Sequence, residues 1–202
     1  VRQGPASAVS AGRPRSEEAH QAILDATLEL LAEVGFSALT VEGVANRAGV
    51  GKATIYRRWS SKLPLVVEAF GQLPALQDCD TGSVAKDLKT MLEGYLEVFR
   101  ITPLASVLPS LVAERAHNPQ LGELLEPLLV GRRQPLRRVF ERGIERGELP
   151  QGLDLDLAPD LVVGPIAVRL FFRGRRPHPE MVGPMVDLAL AGLRHAVATQ
   201  EG

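Results

Sequence analysis

Residues 40–62, TVEGVANRAGVGKATIYRRWSSK, set five cationic side chains (Arg47, Lys52, Arg57, Arg58 and Lys62) against a single carboxylate, Glu42. The cationic and hydroxyl side chains in this stretch are hydrogen-bond donors suited to nucleic acid. Lys52 can donate to guanine O6 or N7, and the methyls of Ala53 and Thr54 can pack on thymine. Tyr56 can lie along a sugar–phosphate strand and donate its hydroxyl to a phosphate. Arg57 can reach a base or a phosphate. Thr40, with the free backbone N–H groups from Val41 onward, turns a helix N-terminus towards a phosphate, and Lys62 does the same at the start of the next helix. The chemistry this implies is recognition of double-stranded DNA.

Catalytic chemistry has no comparable support. The four histidines (His20, His117, His178, His195) lack metal-ligand spacing, and Cys79, the sole cysteine, has no partner. No glycine-rich phosphate loop, GxSxG elbow or pair of carboxylates stands out. No enzyme activity, cofactor or metal is expected. No apolar run reaches the roughly 18 residues that span a bilayer, and no secretory signal is apparent, so no membrane association is expected. One cysteine fits the reducing cytoplasm. The net charge is −1, which excludes a polybasic chain. Its distribution is uneven: +2 over residues 1–62 and −3 over residues 63–202. A local basic patch on a weakly acidic body suits a chain that holds phosphates at one end.

The elements that must position these groups are helical throughout. An all-α fold of about nine helices is expected, without sheet or repeats. Three domains are expected: a disordered arm at 1–15, a three-helix helix-turn-helix domain at 16–62, and a helical body at 63–202. Ser16 is a candidate N-cap for the first helix. Ile23, Ala26, Thr27, Leu30, Leu31 and Val34 form its apolar stripe, and Gly35 ends it. Thr40 caps a second helix running to Ala48. Ala45 is small where the third helix approaches, and Gly49 allows the positive φ of the turn. The third helix covers 52–58, with Ile55 facing the core alongside Val44, Val50 and Trp59. Its N-terminal end is the part that meets base edges in such units. Ser60 or Ser61 caps the fourth helix, with Pro64 in its first turn. Arg13 and Arg15 on the flexible arm can enter an adjacent minor groove.

In the body, Tyr95, Phe99, Leu104, Leu108, Val112, Phe140, Val163, Ile166 and Leu170 lie on central helices. They are candidate walls of a pocket, although an apolar helical stripe ordinarily marks a plain core. With few polar groups among them, an apolar effector is expected over a highly charged one. Small residues recur in the last two helices: Gly164 and Ala167, then Ala189, Gly192 and Ala196. Met181, Met185, Leu188, Gly192 and His195 share one face. Such positions let helices approach closely, as a two-fold interface requires, or serve packing within one chain. The arginines at 132, 133, 137, 138, 142 and 146 alternate with Glu141 and Glu145 and read as a solvated helix face.

The stretch AILDATLELLAEVGFSALTVEGVANRAGVGKATIYRRWSSK, residues 22–62, resembles the TetR family of bacterial transcriptional regulators. Gly35–Phe36, Thr40–Val41, Ala45, Ala48–Gly49–Val50, Ala53–Thr54–Ile55–Tyr56 and Lys62 carry the likeness in order and spacing. Residues 114–172 also look like one subgroup of that family's effector domains. The resemblance implies a homodimer that reads DNA through residues 52–57, with phosphate anchoring by Thr40, Tyr56 and Lys62. It further implies that the helical body at 63–202 is a ligand-binding and dimerisation domain, with repression relieved by a small ligand. Three departures bear on affinity. Gly51 stands where serine is common and removes a helix cap. Gly43 inside the second helix costs about 1 kcal/mol relative to alanine. Leu63–Pro64 replaces a polar helix start.

The expected function is a homodimeric repressor on a near-palindromic operator, released by a mainly apolar small molecule. Two alternatives stand beside it: a DNA-binding regulator without an effector, and a small-molecule-binding helical protein with a vestigial helix-turn-helix.

Overall fold

The computed structural model describes residues 13–196, with side chains described for 16–194. Among these residues lie nine α-helices, one π-helical turn and one 3-10 turn, with no strand. They divide into two compact units, parted between Gln72 and Leu73. The division follows the fourth helix; the expected boundary at residue 62 preceded it.

The first unit contains α1 (Arg13–Ala38), α2 (Val41–Ala48), α3 (Lys52–Tyr56) and α4 (Lys62–Gln72). α1 begins at Arg13, not after Ser16. The Ser16 hydroxyl, expected as its cap, accepts from Arg58 Nη2 at 2.5 Å. The arm expected at 1–15 falls outside the described residues up to position 12. Gly35 takes φ 76° and ends the regular helix at the expected place, and one further turn runs to Ala38. Ile23, Leu24 and Leu31 are buried on the α1 stripe, whereas Val34 is half exposed. Thr27 fits this apolar face because its hydroxyl donates to the Ile23 carbonyl at 2.7 Å. α1 packs against α2 and α4. Each fully buried Ile or Leu there contributes about 1.5–3 kcal/mol.

The second unit contains α5 (Val84–Ile101), α6 (Leu104–Arg115), α7 (Pro119–Glu145), α8 (Leu157–Ala167), a π turn (Val168–Phe172), a 3-10 turn (Pro179–Met181) and α9 (Val182–Ala196). α5 buries Val84, Leu88, Leu92 and Phe99 and packs on α7 and α9. α7 runs unbroken through Pro127 and Pro135. Asn118 caps it, its side chain accepting from Leu121 N at 3.1 Å. The α ladder of α8 stops at Ala167, two residues after Pro165 withdraws a donor, and widens into the π turn.

The α7 arginines are not a merely solvated face. Arg132, Arg138, Arg142 and Arg146 hold the irregular segment 73–83 against the helix. Arg132 donates to the carbonyls of Leu73 and Pro74 at 2.6 and 2.8 Å. Arg138 and Arg142 meet Asp78 at 2.7 and 3.0 Å. Arg142 also donates to the Cys79 carbonyl, and Arg146 reaches Asp80 at 3.0 Å. Asp87, fully buried, accepts from Thr81 N at 2.6 Å and so anchors the segment's far end. Glu145 pairs with neither Arg138 nor Arg142, since both arginines turn to Asp78. Arg137 does pair along the helix, with Glu141 at 3.0 Å.

Candidate nucleic-acid interface

The reading surface rests on a small buried frame. Val44, Ala45 and Ile55 are at most 2 % exposed, which fixes α3 across α2. Thr40 caps α2, its Oγ1 accepting from Gly43 N at 3.0 Å. Gly49 takes φ 66°, ψ 31°, and its N–H closes α2 on Ala45 and Asn46. A β-carbon at Gly49 would meet nothing, so the glycine is there for its backbone, not for space. Gly51 precedes α3 with no side-chain cap, as its lack of a hydroxyl dictates. α3 is a single short helix ending at Tyr56, two residues before the expected end.

On this frame Ala53, Tyr56 and Arg57 are exposed and Thr54 is half-buried. Tyr56 is 51 % exposed, too much for a core aromatic. Among the described residues no hydrogen bond or ion pair engages the Arg57 side chain. Val41 is buried, so only its backbone can reach a phosphate.

The remaining cations are already committed. Lys52 forms an ion pair with Glu42 of α2, so it does not stand alone as the sequence implied. Arg47 binds Glu33 and Glu29 at 2.7 and 3.1 Å, a tie between α2 and α1. Arg58 turns back to α1, donating to the Ser16 carbonyl at 3.0 Å and to His20 Nδ1 at 3.1 Å. Lys62 Nζ donates to the Phe36 carbonyl at 2.8 Å and sits 4.3 Å over the Phe36 ring. Its cation neutralises the end of α1 instead of standing clear for a phosphate. Arg13 and Arg15 lie in the first turn of α1, their side chains outside the described residues.

In the second unit a cavity of about 230 Å³ opens between segment 74–79 and α5. Pro74, Ala75, Met91, Tyr95 and Val98 give it apolar walls, and Asp78, Cys79 and Thr90 line its polar side. Of the nine expected wall residues, Tyr95 borders this cavity. Phe99, Leu104, Phe140 and Ile166 are buried in the core, Leu108, Val163 and Leu170 are half-buried, and Val112 is exposed. Burial pushes the Tyr95 phenol up, with Arg132 opposing. Burial and the nearby Asp87 carboxylate push the Cys79 thiol up, away from the reactive thiolate.

The expected dimer residues differ in exposure. Met181 is buried in the 3-10 turn. Gly164, Ala167, Met185 and Ala189 are half-buried and Gly192 is exposed, while the His195 and Ala196 side chains lie outside the described residues. Larger apolar residues flank these positions. Leu157, Leu161, Val168 and Phe172 repeat down one face of α8 and the π turn, Phe172 at 84 % exposure. Leu188 on α9 is 76 % exposed. A β-carbon at Gly164 or Gly192 would meet nothing within 4 Å.

Sequence reasoning missed the pairing of Glu42 with Lys52 and the exposed α8 face. Glu42 had a legible signal as the one acid in the basic stretch. The α8 residues had one too, at four-, seven- and four-residue steps, but helix-period apolar residues do not by themselves reveal which face is left uncovered. No group of three or more His, Cys, Asp or Glu among the described residues is placed to hold a metal. No single described helix is long and apolar enough to cross a membrane.

Comparison with known proteins matches residues 23–69 to the family described as bacterial regulatory proteins, tetR family. Residues 78–189 match the tetracyclin repressor-like C-terminal domain. The HTH-type transcriptional regulator YdeS of Bacillus subtilis is 35% identical, over 94% of this chain and 96% of its own. The HTH-type transcriptional regulator Rv1556 of Mycobacterium tuberculosis is 33% identical, over 86% of this chain and 85% of its own. Among solved structures, the TetR family transcription regulator SCO0332 is similar with a TM-score of 0.65 at 28% identity, covering 87% of this chain and 98% of that one.

Proposed function

This chain belongs to the TetR family of transcriptional regulators and carries its DNA-binding domain, and from that premise we propose a homodimeric repressor that leaves a near-palindromic operator when a small, mainly apolar effector binds. One observation carries the DNA-reading part: Tyr56 and Arg57 stand exposed and uncommitted beside Ala53 and Thr54, on a frame whose Ile55 is wholly buried. Ala53, Thr54 and Arg57 address base edges. Thr40 and Tyr56 hold phosphates, with the Val41 backbone. Lys62 acts by fixing the end of α1, and Arg58 by fixing its start. Its place of work is the cytoplasm, with the DNA.

The homodimer is supported by the apolar face of Leu157, Leu161, Val168 and Phe172, which nothing in the chain's own second unit covers to completion. The effector reading is supported by the cavity against α5. Asp78, its charged lining group, is already neutralised by Arg138 and Arg142, so the walls favour an uncharged ligand. The volume lies below the roughly 300–1,000 Å³ of drug-sized sites, which favours a small one. A ligand there would push on segment 74–79, and DNA and ligand would then oppose each other reciprocally.

The test is fluorescence anisotropy on the DNA flanking the protein's own gene, with a salt titration and an unrelated duplex. Support is binding at least about a thousandfold tighter than to the unrelated duplex, with Tyr56→Ala abolishing it and leaving the oligomer intact. Equal, steeply salt-dependent affinity for every duplex, in this assay and in a selection from genomic fragments, would leave only phosphate attraction and sink the reading.

A further inference from the structure

We propose that Glu42 is a specificity-determining residue of the reading surface, which together with Lys52 reads one G·C base pair: Lys52 donates to guanine while Glu42 accepts from the cytosine amine. The inference rests on the DNA-binding reading above and deepens it.

Glu42 lies in the first turn of α2 and Lys52 opens α3, and their side chains are joined as an ion pair. Both are accessible, at 53 % and 52 % exposure. Among the described residues neither side chain has another side-chain partner. An ammonium carries three donors and a carboxylate two accepting oxygens, so the pair keeps donors and an acceptor free after joining. In the major groove, G·C presents the O6 and N7 acceptors of guanine beside the N4 donor of cytosine. A joined cation and anion are complementary to that array; a lone cation is complementary to any phosphate as well.

The charge count of this surface points the same way. Arg47 and Arg58 are tied to α1, and Lys62 to the Phe36 carbonyl. Lys52 and Arg57 are then the cations left at α3, and Glu42 cancels one of them. A carboxylate facing DNA is repelled by every phosphate, a penalty that falls on all sequences and is offset only where a base amine receives it. The hydrogen bond from Lys52 holds the Glu42 carboxyl below the ordinary range.

The experiment selects bound duplexes from a random library with the full chain, with Glu42→Ala, Glu42→Gln and Lys52→Ala. Affinities for the selected site are then measured against salt. The wild type is expected to specify G·C at one position of each half-site by roughly tenfold or more, and Glu42→Ala to flatten that position while others persist. Unpaired Lys52 should also steepen the slope of log K against log salt by about one per half-site. Lys52→Ala should flatten the same position. Thermal melts confirm that the variants fold. An unchanged motif and salt slope in Glu42→Ala overturns the proposal, as does loss of an A·T position instead. A wild-type chain that enriches no motif overturns the DNA-binding reading itself, and this one with it.

Discussion

Arg58 Nη1 lies 3.1 Å from His20 Nδ1. A guanidinium only donates, so Nδ1 accepts and the imidazole carries its proton on Nε2, which meets Glu68 Oε1 at 3.1 Å. Glu68 Oε2 accepts from the Trp59 indole at 2.7 Å, and His20 stacks on that indole with centroids 5.3 Å apart. Adjacent arginines therefore have opposite assignments. Arg58 joins α1 to the turn after α3, while Arg57 faces outward.

This separates two single variants. Arg58→Ala should lower stability by about 1 kcal/mol, through one charged hydrogen-bonding group on a part-buried imidazole, and move the melting temperature by a few degrees. Arg57→Ala should leave the melt unchanged and weaken operator binding. A melt and an anisotropy titration on each variant check both halves. A stable Arg58→Ala protein with lost affinity would reverse the assignment.

Gly143 is the tightest glycine described. A β-carbon there would stand 2.3 Å from Val84 Cγ2 and 2.9 Å from Leu149 Cδ1. Alanine would gain about 1 kcal/mol of helix propensity, yet overpacking a filled site costs about 1–3 kcal/mol. Gly143→Ala should therefore destabilise on balance in urea unfolding. Adding Val84→Ala should recover part of the loss. A Gly143→Ala protein more stable than wild type would show that α5 and α7 can part without cost.

What the sequence made legible was local. Thr40, Ala45, Gly49 and Ile55 obey steric rules that act within a few residues, and the structure keeps each in its expected conformation or burial. Side chains whose partners lie far along the chain were not legible. Lys62 finds the Phe36 carbonyl 26 positions away, and Arg58 finds Ser16 at 42. Arg142 finds Asp78 at 64, so its segment clamp looked like a helix face paired within itself. The filling of the expected pocket walls was not legible for the same reason. Periodicity identifies Phe140 and Ile166 as facing inward, but not whether a neighbour fills the space in front of them.

The Asp78 clamp should be acid-sensitive. Arg142, and after it Arg138, hold the Asp78 carboxyl below its ordinary range through hydrogen bonds. A carboxyl depressed in the folded state stabilises fully above its unfolded value of about 3.9, and that contribution is lost as pH falls through the folded value. Asp78 is partly exposed, so the effect is under about 1 kcal/mol. Melting temperature measured from about pH 5 downward should fall less steeply in Asp78→Asn than in wild type. Parallel curves would mean that Arg138 and Arg142 leave the carboxyl free in solution.

The exposed face of α8 and α9 gives the sharpest test of assembly. Phe172 and Leu188 are 84 % and 76 % exposed, more than a chain in isolation has reason to leave open. Gly164 and Gly192 leave room for a second backbone to approach. In a two-fold interface each residue meets its own copy's patch, so one substitution acts twice. Leu188→Glu and Phe172→Glu should therefore convert a dimer to monomers in sedimentation velocity, while Leu188→Met should not. Each monomer still carries a whole reading head, so affinity for a single half-site should survive. Affinity for the full operator should fall by roughly a hundredfold or more, because the second head no longer binds at the effective concentration that linkage provides. Glutamate variants that remain dimeric would remove this face from the interface. Monomers that keep full operator affinity would show that the two heads do not bind as one unit.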